Sequence, residues 1–126
     1  MREPENMTGE YEQVPYILRT QNAEYSSPSI SGSHISDIIT NLELHEFIVI
    51  EPAKPIKDSI YMQAAMFGSS EESVTVEVRL SYDEESFKHY SYETTDKQKV
   101  VRLFLDYWGL QQMPDLAEWA DISDQF

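Results

Sequence analysis

Val74-Thr75-Val76-Glu77-Val78-Arg79-Leu80-Ser81-Tyr82 alternates apolar and polar side chains without a break. A two-residue period is that of an antiparallel strand with one buried and one wet face. Asp83-Glu84-Glu85-Ser86 follows as a turn, and Phe87 to Thr94 reads as the returning strand. Upstream, Phe47-Ile48-Val49-Ile50 is too short and too β-branched for a helix and reads as a buried strand. Ile60 to Phe67 is apolar on both alternating faces except at Gln63, which suggests a central strand.

Helical signals flank these strands. Ile35, Ile38, Ile39 and Leu42 form one stripe of a helix that Ser33 can cap. Thr95-Asp96-Lys97-Gln98 reads as a capping box, opening a helix with Val100, Val101, Phe104, Leu105, Tyr107 and Trp108 on its apolar face. Gly109 is placed to stop it, and Pro114 to open a short helix over residues 115–119. The expected fold is α+β: a four-stranded antiparallel meander sheet, with an N-terminal helix and C-terminal helices packed on one face. Residues 1–30 read as a flexible N-terminal arm, in which Val14–Leu18 could at most supply an edge strand, and residues 31–126 as a single domain. In Phe87–Thr94, Tyr90 and Tyr92 share a face with Lys88, and Phe87 and His89 lie on the other; the pattern alone leaves open which is inward.

The chain has 126 residues, 23 Asp+Glu against 9 Lys+Arg, and a formal net charge of -14. So much negative charge repels itself in a compact fold, steers basic partners inward and opposes nucleic-acid binding, which needs cations to displace phosphate counterions. After Arg102 there is no basic residue, whereas Asp106, Asp115, Glu118, Asp121 and Asp124 follow. The absence of Cys excludes disulfides, thiolate zinc sites and Cys nucleophiles. The first 13 residues lack the apolar core of a secretory signal, and no apolar run approaches the ~20 residues of a membrane helix, so a cytoplasmic location is expected.

Chemistry-bearing motifs are missing. His45-Glu46 begins like a zinc-protease helix, but Val49 stands where the second ligand would be. The four Gly are isolated, so neither a phosphate-binding loop nor a dinucleotide fingerprint can form. No catalytic residue, metal ligand or cofactor is assigned.

The stretch from about Leu42 to Asp121 resembles small, acidic, uncharacterised bacterial proteins. The resemblance is carried by Phe47-Ile48-Val49-Ile50-Glu51-Pro52, Tyr61-Met62-Gln63-Ala64-Ala65, Val76-Glu77-Val78-Arg79-Leu80, Tyr107-Trp108, Pro114-Asp115-Leu116 and Trp119. In size, charge and architecture the chain also resembles the immunity proteins of polymorphic and contact-dependent toxin systems. That resemblance implies a non-enzymatic inhibitor that binds and blocks a cognate toxin. The candidate partner-binding residues are Asp83, Glu84, Glu85, Asp115, Glu118, Trp119 and Asp121, acids to match a basic surface and one aromatic anchor. An alternative is a small-molecule or enzymatic site on an uncovered sheet face bearing Tyr61, Gln63, Glu77, Arg79 and Tyr90. In a plainer reading, Glu77 and Arg79 form only a surface ion pair. A further alternative is a homodimer joined through the Ile60–Phe67 strand. Neither nucleic acid nor membrane is expected as a partner.

Overall fold

The computed structural model describes residues 15–126. The strands are β1 (Tyr16–Thr20), β2 (Glu24–Ser26), β3 (Phe47–Pro52), β4 (Ser59–Met66), β5 (Val74–Ser81), β6 (Phe87–Thr94) and β7 (Ala120–Asp121). The α-helices are α1 (Gly32–Thr40), α2 (Leu42–His45) and α3 (Lys97–Gly109). One seven-stranded sheet runs in the order β2-β1-β3-β4-β5-β6-β7, and every neighbouring pair is antiparallel.

The expected four-stranded meander is therefore wrong. β3 to β6 form only the middle of the sheet; β1 and β2 extend one edge and β7 the other. The first helix is not N-terminal to the sheet, because two strands precede it. Residues 16–30, read from sequence as part of an arm, belong to the body: Tyr16, Leu18 and Ile30 are all buried in its core. The remainder of that arm, residues 1–14, lies outside the described residues. Pro15 does not confine the strand after it to the sheet edge, because Tyr16 to Thr20 pair with β2 on one side and β3 on the other.

Burial follows the strand period. In β5, Val74, Val76 and Val78 are buried and Thr75, Glu77 and Arg79 are not. Ile48, Ile50, Met62 and Ala64 continue that buried face across β3 and β4, where Ile35, Ile38, Ile39, Val100 and Phe104 from the helices meet it. Helix capping differs from the expected residues by small steps. Ser31, not Ser33, caps α1, its Oγ accepting from the His34 amide at 3.2 Å. Asp96, not Thr95, caps α3, accepting from the Gln98 and Lys99 amides at 3.0 and 3.3 Å. A carboxylate also complements the helix dipole, so Asp is well suited there. Gly109 is the last residue of α3, and the left-handed residue beyond it is Gln111 at φ 52. Residues 115–119 hold only a single 3-10 turn, Leu116–Glu118, capped by Asp115.

The turn into β4 had no glycine to announce it. Lys57 and Asp58 both have positive φ, at 47 and 74, between the mutually hydrogen-bonded Ile56 and Ser59. This is the two-residue hairpin geometry that matches strand twist, here adopted without Asn-Gly or Asp-Gly.

A buried phenol chain fastens β1 to α3 and β4. The Tyr16 hydroxyl donates to the Tyr107 carbonyl at 2.9 Å, and the Tyr107 hydroxyl meets Ser59 Oγ at 2.8 Å. Burial pushes the Tyr16 phenol up to about 12 and the Tyr107 phenol upward as well. In the unfolded chain both ionise near the ordinary tyrosine value of about 10. The unfolded state thus loses protons first, and stability present below about pH 10 falls as pH rises toward 12. Urea midpoints measured at pH 8, 10 and 11 are expected to drop steeply over the last interval. In Tyr107→Phe the drop is shallower, from a lower starting midpoint.

Candidate functional site

The sequence-selected acids do not form one patch. Asp83, Glu84 and Glu85 sit exposed in the turn between β5 and β6, where Asp83 Oδ1 accepts from the Glu85 amide at 2.8 Å. Asp121 lies on β7, opposite Tyr90. Its Oδ2 is 3.1 Å from Lys88 Nζ, and its Oδ1 accepts from the Ser123 amide at 2.9 Å and from Ser123 Oγ at 2.5 Å. The Ser123 hydroxyl and amide, with Lys88, hold the Asp121 carboxyl down at about 2. The Asp121 carboxylate is therefore already engaged, by Ser123 of its own segment and by the exposed Lys88 of β6.

Asp115, Glu118 and Trp119 instead converge on a cleft of about 470 Å³. Its other walls come from Tyr92 on β6 and from Lys99, Leu103 and Asp106 on α3. α3 presents Lys99, Leu103 and Asp106 together because they are spaced by four and three residues, along one helix face. The loop after α3 turns back through left-handed Gln111 and closes the cleft with Met113 and Pro114. Trp119 stacks on Tyr92, with ring centroids 5.3 Å apart and planes at 23°. Lys99 Nζ donates to the Tyr92 hydroxyl at 2.6 Å, a bond that raises the Lys99 ammonium's affinity for its proton, with the Tyr92 and Glu118 charges adding to it. Three carboxylates thus share the cleft with one ammonium. Among the described residues no group of His, Asp or Glu gathers closely enough to hold a metal ion. The three carboxylates are spread around the walls of the cleft. From the acidic turn at Phe87 to Tyr92 is five residues of β6, about 17 Å at ~3.4 Å per residue.

The alternative sheet-face set is partly brought together and partly corrected. Tyr61 pairs with Arg79, Gln63 with Glu77, and Arg79 with His89, so these residues stand side by side on the face the helices do not cover. Tyr90 does not join them. It pairs with Val78 and points to the helix side, where it packs against the core. His89 takes the place that Tyr90 was expected to hold. It is 1% exposed, although the α-helices pack on the other face. Phe126 lies over its ring at 4.5 Å between centroids, and Arg79 sits with its guanidinium 4.5 Å from both the Phe87 and Phe126 rings.

Arg79 Nε is 3.1 Å from His89 Nδ1, and Glu77 Oε1 is 2.6 Å from His89 Nε2. An arginine Nε–H can only donate, so His89 Nδ1 accepts and Nε2 carries the proton toward Glu77. Gln63 Nε2 donates to the same Glu77 oxygen at 2.9 Å. Burial pushes the Tyr61 phenol up against the opposing pull of Arg79, and the Glu77 and Glu51 charges add to the rise. Both imidazole nitrogens are engaged, so in this arrangement the ring offers neither a base nor a ligand to an incoming molecule. The plain reading of Glu77 and Arg79 as each other's partner also fails: both turn to His89. The signal for His89 was in the sequence, because a four-residue turn at 83–86 sets it opposite Arg79; what buries it comes from a segment 37 residues further on.

The Ile60–Phe67 stretch offered for self-association forms β4, which is paired on both edges, with β3 and with β5. Among the described residues no helix is long and apolar enough to cross a membrane. Compared with protein-family models, curated proteins and solved structures, the chain matches none.

Proposed function

We propose that this protein is a non-enzymatic inhibitor that binds a basic protein partner, in the manner of the immunity proteins it resembles, and that the α3–β6 cleft is its anchor point. The observation that carries this reading is the convergence of Asp106, Asp115 and Glu118 with the Tyr92–Trp119 stack on one cleft. Carboxylates pair with a guanidinium or ammonium, and aromatic faces attract the same cations through their quadrupoles. An arginine fits best, since its planar fork offers donors in several directions and its stem covers apolar surface such as Leu103 and Met113. The acid turn at Asp83–Glu85 contributes at longer range, by steering.

The test uses the basic protein that co-purifies with the tagged chain from its source cells. Its association rate should fall at least tenfold between about 50 mM and about 500 mM salt, because steering is screened within a few ångströms at high ionic strength. Trp119→Ala should weaken binding by about 2 kcal/mol, roughly 30-fold, as removal of a central aromatic anchor does. Glu118→Lys should both slow association and speed dissociation, since it reverses a charge that pairs directly in the cleft. A salt-independent rate, or Trp119→Ala binding like the natural chain, overturns the proposal.

A further inference from the structure

The cleft and the buried histidine lie on opposite faces of the sheet, yet one short segment serves both. Trp119 supplies the cleft wall, and seven residues later Phe126 covers His89. Between them few ties hold the segment to β6. Ala120 and Asp121 pair with Ser91 and Tyr90, the Ile122 amide donates to the His89 carbonyl at 2.8 Å, and the His89 amide donates to Ser123 Oγ at 2.8 Å. The Lys88–Asp121 pair is exposed and adds little. A two-residue edge strand has few bonds of its own, and Phe126, 65% exposed, holds the end of the segment only through its ring contacts with Phe87, His89 and Arg79.

That seating is built on the contacts of one ring. Phe126 rests on His89 and on Arg79, and Arg79 is positioned by donating to His89 Nδ1. A second proton on the ring would sit on Nδ1 and face the Arg79 N–H, donor against donor. Glu77 would hold the resulting imidazolium through Nε2, so the ring stays and Arg79 must withdraw. It would leave the space between Phe87 and Phe126 as it went. The charged and titratable groups facing the ring are Glu77 and Arg79 from β5 and the Tyr61 phenol from β4; residues 119–126 contribute only the Phe126 ring, since Ser123 meets the His89 backbone amide. Of these, only Arg79 is displaced by the proton.

We infer that residues 119–126 form a latch closed on neutral His89, and that protonation of His89 releases the latch and carries Trp119 off Tyr92, dismantling the cleft. The consequence for partner binding rests on the cleft being the binding site; the latch itself does not.

The experiment therefore needs no partner. It uses the full chain carrying Trp108→Phe, which leaves Trp119 the sole tryptophan. Trp119 emission, the protection of the Ile122 amide from exchange, and the imidazole nitrogen shifts of His89 are followed from about pH 8 to about pH 4, the range in which histidines change charge. The expected result is a fall of about tenfold in Ile122 protection and a shift in Trp119 emission, both tracking proton uptake by His89. The Val78 amide, in the sheet centre, stays protected. In His89→Gln the side-chain amide can donate to Glu77 and accept from Arg79 without titrating, so both latch signals become flat. The inference is overturned if His89 titrates while Ile122 protection holds, if Val78 and Ile122 lose protection together, or if the transition survives in His89→Gln. Should that variant not fold, the first two comparisons in the natural background decide.

Discussion

Leu18→Ala is expected to lower the stability of the protein by about 2–5 kcal/mol, read as a fall in the urea midpoint with an unchanged slope. Leu18 is 0% exposed, on a strand paired on both sides, with β2 and with β3. Truncating it removes buried methyl groups and leaves a hole that the sheet cannot close, since its neighbours are held by ladder hydrogen bonds on both edges. Arg19→Ala, one residue on, provides the contrast. Arg19 faces the other side of the sheet and reaches Glu24 and Glu51 at 3.1 and 2.6 Å, both ties lying at the surface. Its loss should cost no more than about 1 kcal/mol. If residues 16–20 were a loosely attached arm, the two substitutions would be alike and both within about 0.5 kcal/mol of the natural chain.

Gly68→Ala carries the second large effect, about 2–4 kcal/mol of destabilisation in the same measurement. Gly68 has φ +148, a conformation that side chains of L-residues rarely adopt. A Cβ there would stand 2.6 Å from Ser73 Cβ and 2.7 Å from Glu93 Cδ. The exposed Glu93 carboxyl can swing aside only by giving up its hydrogen bonds, and the Ser73 Cβ cannot move without the backbone. Ser73 is buried, and Glu93 Oε2 accepts from the Ser69 amide at 2.9 Å, from Ser69 Oγ at 2.5 Å and from Ser73 Oγ at 2.9 Å. The Ser69 hydroxyl and amide, followed by the Ser73 hydroxyl, hold the Glu93 carboxyl below the usual range. Gly109→Ala should have the opposite sign. A Cβ at that position meets nothing within 4 Å, at the last residue of a helix, so the substitution should stabilise by about 0.5 kcal/mol.

The contrast between these positions shows what was legible. The alternation over residues 74–82 located β5 and its two faces, and its buried valines are those the pattern marks, although the strand ends at Ser81 and Tyr82 is exposed. Strand pairing is otherwise a long-range property. Tyr16–Thr20 becomes an interior strand because β3 offers it one edge and β2 closes the other; the five residues themselves, preceded by proline, show no comparable run. Ala120–Asp121 is a strand only because β6 has a free edge beside it. Caps were misplaced by one or two residues for a related reason. Ser31 and Ser33 both have the right chemistry, and so do Thr95 and Asp96; which one caps is set by where the helix begins to pack.

The candidate site divides in the same way. Asp115, Glu118 and Trp119 could be singled out as an acidic, aromatic stretch, but Tyr92, Lys99 and Asp106 join them only because α3 folds back beside β6. Tyr90 turns to the helices and His89 to the other side because the turn at 83–86 sets the register, which the alternation of Phe87–Thr94 alone left open.

From the order of residues alone come the strand period, the helical stripes and a surplus of negative charge, each of which is written in neighbours along the chain. Tertiary structure decided the number of strands, the burial of His89 beneath Phe126 and the gathering of the cleft. These depend on hydrogen-bonding edges and packing surfaces that exist only once distant segments have met.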